Sequence, residues 1–372
     1  MKKYIIRSIT AMSFMLTGCS AVTDYSHLDG NARYLLRKMV SSAAEGNIMY
    51  GHQDDLMYGH TWRAEEEATL GRSDVKEACG DYPAVLGMDL GGIELQNERN
   101  LDGCLFSHIR DAAVSHYEKG GVVTFSWHIA NPLTGGDSWD ISSKETVSSI
   151  LESGAKHEQF MQWLSRCADF LSSLKDSSGE TVPVIFRPWH EHMGSWFWWG
   201  RDLCSVEQYK ALWTMTFDYM TKERGLKNLI WSYSPGAGTD ALGYMERYPG
   251  DSMVDMLGLD CYQYGELPES NRAYAKQLDE TLSFISLIGK EYSKPVALTE
   301  TGLESIAEPK WWTEVLYPVI EKYSLVYVLT WRNAWDRPKH YYAPWPGSPD
   351  ESDFMDFYAL PRIVFLNDLE KI

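Results

Sequence analysis

The 372-residue sequence predicts an α/β fold, a single-domain (β/α)8 TIM barrel. Two observations carry this prediction: short apolar runs recur eight times along the chain, and the longer segments between them repeat apolar residues at helical intervals. No composition shift and no Ser- or Pro-rich linker marks a second domain. An open doubly wound sheet usually has fewer strands and a glycine-rich first turn, and the chain contains neither G-x-G-x-x-G nor a Walker A sequence.

Each predicted strand is a short run enriched in β-branched and aromatic residues, as buried parallel strands are. In chain order the eight runs are 47–51, 84–90, 122–127, 182–189, 228–234, 255–262, 295–300 and 325–331. Three segments between them, 157–175, 205–223 and 276–292, repeat apolar residues every three or four positions and predict amphipathic helices.

A barrel carries its active site on the loops that follow the carboxyl ends of its strands. Polar and aromatic residues at these ends are therefore the candidate functional residues. They are His52, Asp89, His128, Glu191, Tyr233, Asp260, Tyr262, Glu300 and Trp331.

The composition favours a neutral ligand. Thirty-four basic and 52 acidic residues give a net charge of −18, which disfavours nucleic acid and anionic lipid headgroups as partners. The 15 tryptophans indicate an aromatic-lined binding surface, and an uncharged polysaccharide fits both observations.

The N-terminus has the pattern of a bacterial lipoprotein. A basic start and a short apolar stretch lead into LTGC at 16–19, which predicts a signal peptide over 1–18 and lipidation of Cys19. A plain signal peptide or a core strand is the alternative. We expect a tether over 19–30, a catalytic domain over 31–372 and an anchor facing the periplasm. We expect no transmembrane helix, because the apolar run is too short to cross a membrane.

The other cysteines do not indicate a metal site. Five remain besides Cys19, so an oxidising compartment would leave at least one thiol free. No CxxC and no His/Cys zinc spacing occurs, and we predict neither a metal nor a cofactor. His52, Asp54 and Asp55 could bind a metal, but an ordinary loop or cleft role is the better interpretation.

The most informative segment is 186–200, FRPWHEHMGSWFWWG, which ends the fourth predicted strand. It combines one carboxylate, one arginine, two histidines and four tryptophans: Arg187, Trp189, His190, Glu191, His192, Trp196, Trp198 and Trp199. Flat rings bind sugar faces, and a glutamic acid among them can protonate a glycosidic oxygen. The alternative is a core cluster, but burying Arg187 and Glu191 without a function would cost several kcal/mol.

A second glutamate completes a catalytic pair. Glu300 ends the seventh predicted strand, across part of the barrel mouth from Glu191. A retaining glycosidase needs its two carboxyl groups about 5–5.5 Å apart, and an inverting one needs a wider gap. Tyr262 and Arg187 could keep Glu300 ionised as a nucleophile, while the aromatic rings around Glu191 favour a protonated acid.

The motif RPWHEHMGSWFWWG resembles the signature of glycoside hydrolase family 26, whose members are mostly β-mannanases. The resemblance extends through the chain in family order. The other matching segments are YGHQDD (50–55), TFSWHIANP (124–132), WSYSPG (231–236), GLDCY (258–262), ALTETG (297–302) and LTWRNAW (329–335).

The resemblance implies that Glu191 is the acid/base and Glu300 the nucleophile. It also implies supporting roles for the residues around the pair. Tyr262 would bond the nucleophile, Arg187 would lie beneath both glutamates, and Asp260 would support this network. His190 would contact the cleaved sugar, and the central sugar site would be shaped by His128, Trp196 and Trp331. Arg332 would bind on the non-reducing side. The chain departs from the common HEMNG pattern at His192, which either alters a neighbouring subsite or packs.

These observations predict a monomeric, lipid-anchored, retaining endo-β-1,4-mannanase that hydrolyses mannan, glucomannan or galactomannan. The same chemistry on another β-glycan, a xylan or a mixed-linkage glucan, is the first alternative. A non-catalytic mannan-binding lipoprotein is the second, although a pure binder has no use for two catalytic glutamates. Loop lengths decide endo or exo action, tolerance of galactose branches and the number of subsites.

Overall fold

The computed structural model describes residues 25–64 and 71–371, and within them the predicted barrel is confirmed. Eight parallel strands pair in sequence order, and the eighth pairs again with the first, so the sheet closes. The strands are β1 Ile48–Gln53, β2 Val85–Asp89, β3 Val122–Ser126, β4 Val184–Arg187, β5 Leu229–Tyr233, β6 Met256–Gln263, β7 Val296–Leu303 and β8 Leu325–Thr330.

Helices surround this barrel. They are α1 Gly30–Ala44, α2 Asp74–Cys79, α3 Phe106–Glu118, α4 Thr146–Ile150, α5 His157–Ser173, α6 Val206–Asp218, α7 Ala241–Glu246, α8 Glu269–Tyr292, α9 Tyr317–Ile320 and α10 Glu351–Tyr358. The three predicted helices correspond to α5, α6 and α8. A π-helical turn, Tyr219–Glu223, continues α6 to the predicted end.

Side-chain caps mark where α6 and α1 begin. Ser205 and Gln208 form a capping box at the start of α6, in which each side chain bonds the other residue's backbone N–H. The Asp29 side chain accepts from the backbone of Ala32 and caps α1 in the same way. Nearly every strand residue is buried, because helices cover the outside of the barrel and side chains fill its inside.

Two short pairings were not predicted. Tyr58–Gly59 and Trp62–Arg63 form an antiparallel hairpin in the loop after β1. Ile363–Val364 pairs in parallel with the first two residues of β1. Two-residue strands leave too short a pattern in the sequence to be recognised.

The described part of the predicted tether packs against the end of the barrel opposite the strands' carboxyl ends. Leu28 is buried, His27 bonds Asp255 at 3.1 Å, and the Asp29 N–H donates to the Lys227 carbonyl at 2.7 Å. The folded domain therefore begins before residue 31. Residues 1–24, with the predicted signal peptide and Cys19, lie outside the described residues.

Within the described ranges, no helix has both the length and the apolar character needed to cross a membrane. The five cysteines found there are buried, and none of them forms a disulfide.

Candidate active site

A strained turn carries Glu191 into the barrel mouth. Trp189 and Glu191 have positive φ angles of 55° and 52° just after β4 ends. Such angles cost about 1–3 kcal/mol each in residues with side chains, so the surrounding structure must hold them. Part of that hold is a 2.9 Å hydrogen bond from the Glu191 N–H to the carbonyl of Ser234, at the end of β5.

Glu300 lies on β7 with its carboxylate buried and bonded on both oxygens. The Tyr262 hydroxyl donates to Oε2 at 2.7 Å, and the Arg187 guanidinium donates to Oε1. Both donors favour the ionised carboxylate, which is the form that a nucleophile requires.

Arg187 connects the buried polar groups at the bottom of the site. Its Nη1 lies 2.9 and 3.2 Å from the two oxygens of Asp260 and 2.8 Å from the Ser234 hydroxyl. Burial alone lowers the pKa of this guanidinium, but the charges of Asp260 and Glu300 raise it overall. The arginine is therefore a permanent cation beneath the carboxylates.

The two glutamates are close enough to act on one bond. One carboxylate oxygen each of Glu191, Asp260 and Glu300 lies within 4.8 Å of the others. That separation is near the roughly 5–5.5 Å of retaining glycosidases and too small for the water of an inverting site. Burial and the charge of Glu300 raise the pKa of Glu191 to about 7, so Glu191 can hold a proton near neutral pH.

The three carboxylates are the only cluster among the described residues with the spacing of a metal site, and Arg187 already supplies a cation to two of them. The other residues considered for a metal have internal partners. His52 Nδ1 bonds Asp55 at 2.8 Å, and Asp54 accepts from the Tyr58 hydroxyl at 2.6 Å. These bonds are consistent with the ordinary loop or cleft role given above.

Two buried histidines form one wall of the site. Nε2 of His190 lies 3.2 Å from Nε2 of His128, and Nδ1 of His128 lies 2.7 Å from Oδ2 of Asp89. The ring of Trp331 is 6.1 Å from that of His128, centroid to centroid. The structure thus brings His128, His190 and Trp331 together, as the sequence motifs implied.

Of the four tryptophans in 186–200, only Trp196 faces the cleft. It is 46% exposed, and its Nε1 donates to Oε2 of Glu191 at 2.8 Å. Trp189, Trp198 and Trp199 are fully buried and pack on one another, so the prediction that the tryptophans serve binding is wrong for these three. A large ring beside a strand end can pack into the core as readily as it can contact a ligand, so the sequence does not distinguish the two roles.

His192, the departure from the common motif, packs beneath the site. Its ring lies 4.3 Å from that of Tyr209 and 5.0 Å from that of Tyr233, and it is completely buried. Burial lowers its pKa well below the usual value. The side chain is therefore a neutral core group and does not line a subsite.

Arg332 lies at the other side of the cleft with partners far away in sequence. Its guanidinium is 3.1 Å from Asp102 and 3.4 Å from the Tyr58 hydroxyl. Neither partner was among the predicted site residues, because each belongs to a loop without a recognisable motif.

Trp139 is a further cleft residue that the sequence did not indicate. This ring is 46% exposed and stacks on His128 at 5.2 Å with an interplanar angle of 17°. It lies in the long loop after β3, away from any strand end, and only the abundance of tryptophan hinted at it.

Comparisons with known proteins agree with this geometry. The family model described as Glycosyl hydrolase family 26 matches residues 26–287. A mannan endo-1,4-beta-mannosidase of Bifidobacterium adolescentis is 32% identical over 348 residues, which cover 87% of this chain but 33% of that protein. Another from Bacillus subtilis is 34% identical over 303 residues, 77% of this chain and 75% of its own length. The chain thus spans a third of the first relative and three quarters of the second.

Solved structures give the same result. A GH26 beta-mannanase from Bacteroides ovatus superposes with a TM-score of 0.87 at 48% identity, covering 91% of this chain and 95% of that one. The catalytic domain of a GH26 endo-beta-1,4-mannanase from a Bacillus species superposes with a TM-score of 0.83 at 30% identity, covering 92% and 93%.

Proposed function

The chain belongs to glycosyl hydrolase family 26 and is a glycoside hydrolase, and from this premise we propose that it is a retaining endo-β-1,4-mannanase. The observation that carries the proposal is the pair Glu191 and Glu300, whose nearest oxygens lie within 4.8 Å and whose surroundings differ. One carboxyl can hold a proton, and the other is bound by Arg187 and Tyr262 as an anion.

The pair divides the two steps of hydrolysis. Glu300 attacks the anomeric carbon while Glu191 gives its proton to the departing glycosidic oxygen, and the bond between carbon and that oxygen breaks. An α-linked glycosyl ester of Glu300 results. Glu191, now a carboxylate, takes a proton from water, whose oxygen displaces Glu300 and leaves a β product.

The wall formed by His190 supports mannan as the substrate. The 2-hydroxyl of mannose is axial and lies beside the reaction centre, whereas glucose has it equatorial. The position before the acid/base is His190, which is buried against His128 and so fixes the shape of the site at this point. The relatives named as mannan endo-1,4-beta-mannosidases support the same substrate class.

Product analysis tests the proposal. Manno-oligosaccharides should be cleaved much faster than cello- or xylo-oligosaccharides of equal length, and NMR should show new chain ends first as the β anomer. Faster cleavage of lichenan or xylan would assign the chain to another β-glycan, and an initial α anomer would overturn retention. Binding of mannan without any cleavage would make the protein a binder.

Endo action is tested on polymers. Glucomannan and galactomannan should lose viscosity early, before much reducing sugar appears, because internal bonds are cut first. Release of a single short product with little loss of viscosity would indicate exo action instead.

We also propose that the mature protein is a lipid-anchored monomer in the bacterial cell envelope and faces the periplasm. The support is the basic start, the apolar stretch and LTGC at 16–19. Globomycin should leave a longer precursor, and Cys19→Ala should release the protein from membranes. Protease added to intact cells should spare it, and rapid digestion would refute the periplasmic orientation while leaving the anchor.

A further inference from the structure

A buried acid lies behind the histidine wall, and although it was one of the candidate residues at the strand ends, no role was assigned to it. Asp89 ends β2, is 1% exposed, and bonds Nδ1 of His128 at 2.7 Å. His128 in turn faces His190, with 3.2 Å between the two Nε2 atoms. The three side chains thus form a chain of contacts from Asp89 through His128 to His190.

The surroundings of Asp89 hold it as an anion in one orientation. Its Oδ1 accepts from the Gly91 N–H at 2.7 Å, and its Oδ2 accepts from the Ser126 hydroxyl at 2.6 Å. Although burial raises the pKa of this carboxyl, His128 and these donors lower it below the usual value. An ionised carboxylate can only accept, so Nδ1 of His128 must carry a hydrogen.

The contact between the two Nε2 atoms needs one further hydrogen. If His128 supplies it, His128 is a cation that donates at both nitrogens and His190 is neutral. If His190 supplies it, both rings are neutral. Burial lowers the pKa of His190, and the neighbouring His128 lowers it further. Burial also lowers the pKa of His128, but the charge and hydrogen bond of Asp89, together with the charges of Glu300 and Asp102, raise it overall, so the hydrogen belongs to His128.

The charged groups that face His128 come from several elements, and most favour its cation. Besides Asp89 they are Asp102, in the loop after β2, and Glu300 on β7. His190 supplies an acceptor. The charge of His128 in turn lowers the pKa of Glu191, against the larger raising effects of burial and Glu300.

We propose that Asp89 is a positioning residue that holds His128 as a doubly donating imidazolium, and that this cation lowers the proton affinity of Glu191. The second half rests on the proposed function, since it assigns Glu191 the role of the acid. The first half does not, because it concerns only where hydrogens lie in the free enzyme. Arg187 also lowers the pKa of Glu191, although Asp260 and Glu300 bind its guanidinium.

Asp89→Asn tests the proposal with little change of shape. The amide oxygen still accepts from Nδ1, but the charge is gone. We expect the NMR titration midpoint of His128, identified by its loss in His128→Gln, to fall by about 1–3 pH units. The alkaline limb of kcat/KM on manno-oligosaccharides should move to higher pH, since Glu191 loses a cation that lowers its proton affinity.

Ser126→Ala is the matched control, because it removes a 2.6 Å bond to the same oxygen of Asp89 and keeps the charge. The His128 midpoint should stay near that of the unsubstituted protein. An equal fall in both variants would mean that Asp89 acts only through packing and would overturn the proposal.

One measurement needs no variant at Asp89. In the unsubstituted protein, His128 should titrate at a higher pH than an unperturbed histidine, and a midpoint at or below the usual histidine value would sink the proposal even if Asp89→Asn does not fold. This readout is independent of substrate. If the protein fails to cleave any mannan while His128 titrates as expected, the proposed function is lost and the first half of this inference stands.

Discussion

The indole Nε1 of Trp196 donates a 2.8 Å hydrogen bond to Oε2 of Glu191. The same ring is 46% exposed, so one side chain can touch a sugar and the acid that protonates its linkage. The bond favours the ionised carboxylate and opposes the two larger influences, burial and the charge of Glu300, which raise the pKa of Glu191 to about 7.

Trp196→Phe should therefore move the alkaline limb of kcat/KM to higher pH. Glu191 must be protonated to act as an acid, so activity falls as the pH rises through its pKa of about 7, and loss of the donor raises that pKa further. The pH profile measures the shift. Trp139→Phe, which changes an equally exposed ring without a bond to Glu191, should leave the limb where it is; a shift in both variants would contradict the assignment.

Glu191→Ala should harm substrates with poor leaving groups most. An activated aryl glycoside needs little protonation in the first step, so the covalent intermediate accumulates and product appears in a burst. Stopped-flow measurements with aryl and natural mannosides check this. Equal damage to both substrates, with no burst, would remove the acid/base role.

Glu300→Ala should abolish turnover and leave the fold intact, because the covalent route needs a nucleophile. Azide should restore part of the activity by taking the place of the carboxylate and should give an α-glycosyl azide. Glu280→Ala, an exposed acid on α8, is the control and should match the unsubstituted enzyme. Near-normal activity of Glu300→Ala without azide would exclude the assigned role.

Trp331→Ala should reduce kcat/KM by an amount equivalent to about 1–3 kcal/mol if the ring stacks on a sugar. Kinetics on manno-oligosaccharides and a thermal unfolding curve separate the two possible roles of the ring. A large loss of stability with little change in the kinetics of the remaining folded enzyme would identify Trp331 as a core residue.

The barrel and its two glutamates could be predicted from the residues alone. Eight apolar runs with helical segments between them have few other arrangements, because parallel strands need crossovers and helices must bury an apolar face. Glu191 and Glu300 were found because each immediately follows or ends such a run, where a barrel displays its active site. Boundaries of the strands differ by only a few residues from those predicted.

Which side chains act together could be read only from the folded protein. Asp89 and His128 are 39 residues apart in the chain, Asp102 and Arg332 lie on loops from opposite ends of it, and Trp139 comes from a loop without a motif. The same structure assigned Trp189, Trp198 and Trp199 to the core and Trp196 to the cleft. Local patterns report periodicity and strand ends, whereas a hydrogen bond or a stacked ring depends on where distant loops meet once the barrel has closed.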